Sequence, residues 1–160
     1  MSDHKRRIVY IEDEPDSAAL IERILTAFGY DIIVAYTGHD GIKAAIEYQP
    51  ELVLVDLDLP DISGFEVAMH LREVGDLQRI PIIAITSQDS DEYRGMARVA
   101  EISSYITKPV SVELLTRKIE QYIGTEDLLV DINVDADKEF YARETVQHLI
   151  NKIRDLESSN

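Results

Sequence analysis

Two aspartates follow the most hydrophobic run of the sequence, which reads LVLVDLDLP from Leu52 to Pro60. A carboxylate at the end of a buried strand is held rigidly and still remains open to a partner molecule. Such a carboxylate can ligate a hard cation, or it can act as a nucleophile and form an aspartyl-phosphate. Asp56 and Asp58 are therefore the first candidates for chemistry.

Other reactive side chains follow apolar runs elsewhere in the sequence. Glu12 and Asp13 come after RIVYI, Thr86 ends PIIAIT, and Lys108 follows SYIT directly. Carboxylates forced together raise one another's pKa unless a cation intervenes, and oxygen ligands without soft donors suit Mg²⁺ or Mn²⁺. An ammonium and a hydroxyl can each hold a phosphoryl oxygen. This set of residue types indicates a phosphoryl-transfer site.

The elements that must bring these residues together alternate between strand and helix five times. Apolar spacing and turn residues predict strands at 7–11, 31–36, 51–56, 81–86 and 104–107, and helices at 15–28, 41–48, 65–74, 90–100 and 111–123. Five such cycles joined by short loops predict a doubly wound α/β fold with a parallel sheet. Ligands of such sheets bind beyond the carboxyl ends of the strands, where the candidate residues lie.

Composition excludes several classes of protein. The chain has 160 residues, a net charge of −15 and no cysteine, which excludes disulfides, thiol catalysis and zinc–thiolate sites. Both the first 123 residues and the remainder are acidic, so we expect no nucleic-acid partner. No apolar run approaches the ~20 residues of a membrane span, and the N-terminus lacks a signal-peptide core. These features predict a cytoplasmic protein with no membrane partner.

Four motifs in this order and spacing, IVYIEDEP, LVLVDLDLPDISGFEV, IIAITS and YITKP, resemble the receiver domain of two-component response regulators. The resemblance covers about residues 7–123 and implies a single-domain receiver with a C-terminal helical extension. It further implies a flavodoxin-like five-stranded sheet with strand order 2-1-3-4-5. Residues 1–123 would form the receiver domain, and residues 124–160 a linker and an amphipathic helix.

The resemblance also implies roles for individual residues. Asp56 would accept a phosphoryl group from a histidine kinase or phosphotransfer protein, while Thr86 and Lys108 would hold its oxygens. Tyr105 would be an aromatic switch that turns inward as Thr86 moves. The implied Mg²⁺ ligands are Asp13, Asp56 and the Asp58 carbonyl, with Glu12 acting through water. The positions that tune the phosphate lifetime would be Asp58 and Gln88. Pro60 and Gly64 would shape the following loop, and the Lys108–Pro109 peptide would be cis.

The sequence departs from the family pattern at two places. Ser87 replaces a common alanine but is still small, so access to the phosphate should survive. Glu101 and Ile102 replace the usual glycine and alanine before the fifth strand, which puts the geometry of that loop in doubt.

Simpler interpretations hold for other polar residues. Glu14, Asp16 and Asp61 are expected to be helix caps or turn residues. The four histidines have no mutual spacing that suggests a metal or a base, so we expect them to be solvated. Tyr105 could also be an ordinary half-buried aromatic residue.

The segment after Gly124 has its own apolar pattern. From about residue 137 to 156 it is predicted to be helical, with an a/d seam of five residues: Ala142, Val146, Leu149, Ile153 and Leu156. A helix of this length is marginal alone and must pack on something. Three alternatives follow. The helix could form a homodimer, it could pack on the parent domain, or it could be the start of a signalling helix.

Three functions compete. The leading hypothesis is a phosphorylation-controlled signalling switch that is not an enzyme beyond phosphorylating and dephosphorylating itself. The DLD motif at residues 56–58 also resembles the nucleophile motif of haloacid-dehalogenase-type phosphatases, although those have their nucleophile strand near the N-terminus. The third hypothesis is a dimeric scaffold that does not respond to phosphate.

Overall fold

The computed structural model describes residues 5–124. It contains five strands and five α-helices, with a short 3₁₀ turn at Gly75–Leu77. The strands are β1 Arg7–Ile11, β2 Asp31–Ala35, β3 Leu52–Asp56, β4 Ile82–Thr86 and β5 Ser104–Thr107, and the helices are α1 Pro15–Ala27, α2 Gly38–Tyr48, α3 Gly64–Leu71, α4 Asp91–Val99 and α5 Val112–Tyr122. The predicted tail helix, with Ala142, Val146, Leu149, Ile153 and Leu156, lies outside the described residues.

The five strands form one parallel sheet in the order β2-β1-β3-β4-β5, as predicted. Every residue of β3 and β4 is buried, because helices cover both faces of the sheet. α1 and α5 pack on one face, with Leu25 and Ile119 among their core residues, and α2, α3 and α4 pack on the other. No helix among residues 5–124 is long and apolar enough to cross a membrane.

Two helices differ from their predicted limits. α2 begins at Gly38 instead of Gly41, because Thr37 caps it and accepts a hydrogen bond from the amide of Asp40. α3 ends at Leu71 instead of Val74, and the chain then forms the 3₁₀ turn. The other element limits agree within one or two residues.

The unusual loop before β5 is stabilised by a buried arginine. Glu101 adopts a left-handed conformation with φ of 59°, the region that favours glycine. Its carbonyl accepts hydrogen bonds from Nε and Nη2 of Arg72, whose guanidinium also donates to the carbonyls of Gln78 and Ile80. Burial lowers the pKa of Arg72 to about 10, so this side chain stays charged at neutral pH. Glu101 is thus accommodated without the usual glycine, and Ile102 is fully buried in the core.

Candidate functional site

The carboxyl ends of β1, β3 and β5 bring three acidic side chains and one lysine together. Side-chain oxygens of Glu12, Asp13 and Asp56 all lie within 4.8 Å of one another. Lys108 Nζ donates to Asp56 Oδ2 at 2.7 Å and lies 3.8 Å from Glu12 Oε1. The sequence predicted this grouping from the strand ends alone.

Asp56 is held from both sides. Only 1% of this residue is exposed, and its Oδ1 accepts a hydrogen bond from the backbone amide of Asp58 at 2.8 Å. The amide of Leu57 donates to the carbonyl of Ile85, which fixes the end of β3 against β4. With Oδ2 bound to Lys108, the carboxylate has a defined orientation at the sheet edge.

Glu12 is almost as buried as Asp56, and its environment disfavours its charge. Burial and the nearby charge of Asp56 raise the pKa of Glu12 to about 7. The amide of Glu14 donates to Glu12 Oε2 at 3.1 Å, and the hydroxyl of Tyr10 lies 3.4 Å from Oε1. Burial and these carboxylates also raise the pKa of Tyr10.

Lys108 carries the positive charge of the cluster. Burial lowers the pKa of Lys108, but the hydrogen bond and charge of Asp56 and the charge of Glu12 outweigh that effect. The pKa of Lys108 is therefore higher than usual. The Lys108–Pro109 peptide is cis, as the resemblance implied.

This donor set fits a hard divalent cation. Asp13 is exposed whereas Glu12 and Asp56 are buried, so solvent reaches the three carboxylates from the Asp13 side. Oxygen donors of this kind suit Mg²⁺ or Mn²⁺, which keep several waters. A cation would offset the repulsion that a single lysine leaves uncompensated.

Thr86 and Tyr105 lie on the neighbouring strands β4 and β5. Thr86 is fully buried, and its hydroxyl accepts a hydrogen bond from the amide of Gln88 at 2.9 Å. Tyr105 is half-buried, and its hydroxyl donates to Asp89 Oδ1 at 2.8 Å outside the core. A small cavity lies between the Tyr105 ring and Thr86.

The residues expected to be caps or turns are also in place. Glu14 caps α1 by accepting from the amides of Asp16 and Ser17. Asp61 instead caps a distant helix, because its carboxylate accepts from the amides of Gly38 and His39 at the start of α2. Burial raises the pKa of Asp61, but these backbone hydrogen bonds outweigh burial and lower it overall.

Three interactions near the site could not be predicted from sequence patterns. The contact of the Tyr10 hydroxyl with Glu12 is not predictable, because a tyrosine flanked by apolar residues in a strand is expected to be a plain core residue. The sequence gives no signal for the contacts of Asp89 and Arg94, because a charged residue near a helix start is ordinarily solvated. Their contacts with Tyr105 depend on how α4 packs beside β5.

Comparison with known proteins identifies the family and supports the fold. Residues 8–120 match the family model of the response regulator receiver domain. The chain belongs to this family. The receiver assignment confirms the leading hypothesis, a phosphorylation-controlled signalling switch.

Individual relatives agree with the receiver assignment. The polar-differentiation response regulator DivK of Brucella anthropi is 33% identical over 121 residues, which cover 74% of this chain and 97% of DivK. The receiver domain of the sensor histidine kinase PA1611 from Pseudomonas aeruginosa PAO1, solved with a magnesium ion in its active-site cleft, is 26% identical with a TM-score of 0.71; the match covers 76% of this chain and all of that one. The chemotaxis protein CheY4 of Vibrio cholerae shares the fold at 18% identity and a TM-score of 0.73, over 75% of this chain and all of CheY4.

Proposed function

We propose that Asp56 is the phosphoryl acceptor of this receiver domain. The observation that carries the proposal is the geometry of its carboxylate, buried at the end of β3 and bound by Lys108 at 2.7 Å and the Asp58 amide at 2.8 Å. One Asp56 oxygen attacks phosphorus, forming a P–O bond as the P–N bond to the donor histidine breaks. The electron pair stays on the imidazole nitrogen. Lys108 is placed to transfer its hydrogen bond to a phosphoryl oxygen.

Mg²⁺, or Mn²⁺ in its place, is the proposed cofactor. Asp13, Asp56 and the carbonyl of Asp58 would ligate it directly, and Glu12 would act through water. When bound, the cation supplies charge neutralisation for the oxygens of the transferring phosphoryl group. The clustering of three carboxylates supports this assignment.

Thr86 and Tyr105 would transmit the signal. The Thr86 hydroxyl accepts a hydrogen bond from the Gln88 amide, and we expect it to donate its own proton to a phosphoryl oxygen once Thr86 moves toward Asp56. Its movement would make room for the Tyr105 ring and change the surface formed by α4 and β5. Asp58 and Gln88 flank the site and are the residues we expect to set the phosphate lifetime.

The proposed partners are a histidine kinase or a histidine phosphotransfer protein, and a second copy of the chain bound through the helix that the sequence predicts after Gly124. No nucleic-acid or membrane partner is proposed. A kinase that uses ATP would place this exchange in the cytoplasm. The protein would catalyse only its own phosphorylation and dephosphorylation.

Intact mass spectrometry after incubation with a small-molecule phosphodonor and Mg²⁺ tests this function. We expect one phosphoryl group on the wild type, none on Asp56→Asn, and retained labelling with an altered decay rate on Asp58→Asn. Omitting Mg²⁺ should suppress labelling. Equal labelling of the wild type and Asp56→Asn would refute Asp56 as the acceptor.

A further inference from the structure

Three side chains form a closed group around the proposed switch residue. Tyr105 on β5 donates its hydroxyl to Asp89 Oδ1 at 2.8 Å, and Asp89 lies in the loop between β4 and α4. Arg94 on α4 contacts the same oxygen from Nε at 3.0 Å and from Nη2 at 2.9 Å. The Arg94 guanidinium also lies 5.0 Å from the centre of the Tyr105 ring. Each member therefore contacts both of the others.

The space behind the Tyr105 ring cannot accept it in this conformation. The cavity there has a volume of only about 10 Å³, barely enough for one water molecule. Thr86 and Gln88 line this cavity, and the Thr86 hydroxyl is bonded to the Gln88 amide. An inward turn of the ring thus requires Thr86 and its loop to move first.

The group is connected to that movement through the chain. Asp89 is three residues after Thr86 and one after Gln88, so a shift of this loop toward Asp56 displaces Asp89 as well. The Tyr105 hydroxyl would then have to leave Asp89 as the ring turns inward. The two contacts that involve Tyr105 are consequently available to the outward state only.

We propose that Asp89 and Arg94 form a latch that holds Tyr105 outward and sets the fraction of unphosphorylated protein in the active state. The latch rests on the proposed function, because it acts on the switch that phosphorylation of Asp56 would drive. Contacts made in only one of two states shift the population toward that state. Asp89 is thus a positioning residue that acts through Tyr105.

The latch predicts the direction of a binding change. A ligand that binds only the active state has an apparent dissociation constant equal to its intrinsic constant divided by the fraction of protein in that state. A larger active fraction therefore gives tighter apparent binding. Removing contacts of this exposed kind should raise the apparent affinity roughly 1.5- to fivefold. Asp89→Ala should show the full effect, whereas Asp89→Asn keeps an acceptor for Tyr105 and should show less.

The test uses the full chain with Mg²⁺ and beryllofluoride, a phosphoryl mimic. The apparent dissociation constant of beryllofluoride is measured for the wild type, Asp89→Ala, Asp89→Asn and Glu92→Gln. Glu92→Gln is the matched control, because it removes one acidic charge in the exposed first turn of α4. A double-mutant cycle with Tyr105→Phe separates the latch from the general loss of negative charge.

A second readout follows the ring directly. The chain has eight tyrosines, so fluorotyrosine labelling gives several ¹⁹F resonances, and Tyr105→Phe assigns the one from Tyr105. In Asp89→Ala without beryllofluoride, this resonance should move toward its position in the beryllofluoride-bound wild type. In Glu92→Gln it should stay at the wild-type position.

The outcomes separate the latch from the proposed function. The latch is supported if Asp89→Ala tightens binding, Glu92→Gln does not, and the effect of Asp89→Ala disappears in the Tyr105→Phe background. It is overturned if Asp89→Ala leaves affinity and the Tyr105 resonance unchanged, or if Glu92→Gln has the same effect, while the wild type still responds to beryllofluoride. A wild type with no Mg²⁺-dependent response would overturn the proposed function, and the latch with it.

Discussion

At the scale of single residues, the site brings together negative charges that repel one another in the absence of a metal ion. Glu12 and Asp56 are both nearly inaccessible to solvent, and Lys108 is the cation that contacts them. A buried charge is unfavourable unless it is fully compensated, so this cluster costs folding free energy until a metal binds. The metal-free fold is therefore less stable than it would be without this preformed cluster of buried carboxylates.

Replacing Glu12 should expose this cost. In Mg²⁺-free buffer at pH 8, we expect Glu12→Gln to raise the free energy of unfolding by about 1–2 kcal/mol, because it removes repulsion from Asp56. The pKa of Glu12 is raised to about 7, so its charge weakens the fold progressively as pH rises from about 4.5 through 7. The gain should therefore shrink toward pH 5.

Urea unfolding across this pH range measures the effect of Glu12→Gln. Glu47→Gln, an exposed change on α2, is the control and should stay within about 0.5 kcal/mol of the wild type at every pH. Saturating Mg²⁺ should reduce or reverse the advantage of Glu12→Gln. A variant less stable than the wild type at pH 8 without Mg²⁺ would contradict the repulsion argument.

At the scale of elements, the loop from β3 to α3 positions Asp56. Gly64 begins α3, and its amide donates to the carbonyl of Leu57 at 3.1 Å. A Cβ at this position would lie 2.6 Å from the carbonyl oxygen of Asp56 and 2.8 Å from the Cα of Leu57. Both neighbours are backbone atoms, so a side chain here can be accommodated only by moving the end of β3.

Gly64→Ala should thus impair stability and chemistry together. We expect a loss of about 1–3 kcal/mol in unfolding free energy and slower labelling by the phosphodonor, because the Asp56 carboxylate moves with its backbone. Gly75→Ala is the control, since a Cβ added there would meet no atom within 4 Å and its effect should be within about 1 kcal/mol. Unchanged labelling and stability in Gly64→Ala would show that the loop can shift freely.

The same loop also stabilises α2 through Asp61. We expect Asp61→Ala to destabilise the fold by about 1 kcal/mol at neutral pH, because two amides at the helix start lose their acceptor. The folded-state pKa of Asp61 is lowered from 3.8, so its stabilisation is present above that pH and is lost as the pH falls below it.

Thermal unfolding of Asp61→Ala at pH 7 and at pH 3 separates the cap from a packing effect. The difference from the wild type should be clear at pH 7 and small at pH 3. Asp76→Ala, in the exposed 3₁₀ turn that precedes β4, should differ little from the wild type at either pH. A difference that persists in acid would assign the loss to packing.

What could be predicted from the sequence follows from how local each signal is. Apolar runs that end in reactive residues predicted the sheet and the grouping of Asp13, Asp56 and Lys108, because parallel strands end at one edge. The predicted start of α2 was wrong because two glycines obscure the helix pattern. The cap by Asp61 could not be predicted because Asp61 lies 22 or more residues along the chain from the amides that it binds. The roles of the site residues stay predictions, since geometry shows proximity and not transfer.

At the scale of the whole molecule, the described domain and the 36 residues after Gly124 pose separate questions. α5 ends at Tyr122 beside the N-terminal edge of the sheet, where Gly124 lies against the side chain of Arg6. The family match covers residues 8–120, all of which lie among the described residues. The segment from 125 onward lies beyond that match, and the apolar seam predicted from its sequence suggests association.

Ending the chain at Gly124 should leave the receiver unit intact and abolish the proposed dimer. In sedimentation velocity at matched concentrations, we expect the full chain to be a dimer and the shortened chain a monomer, with similar thermal unfolding of the receiver. Leu149→Asp in the full chain is the companion variant, because one charge in the seam should oppose helix pairing without shortening the protein. A shortened chain that still dimerises would place the interface on the receiver surface. If the full chain is monomeric as well, the seam must pack on its own domain or await another partner.

Repeating the measurement with Mg²⁺ and beryllofluoride, and with Asp56→Asn as the unresponsive control, shows whether phosphorylation of the site acts on this association. The same mass with and without the mimic, together with unchanged partner affinity, would favour the phosphate-insensitive scaffold.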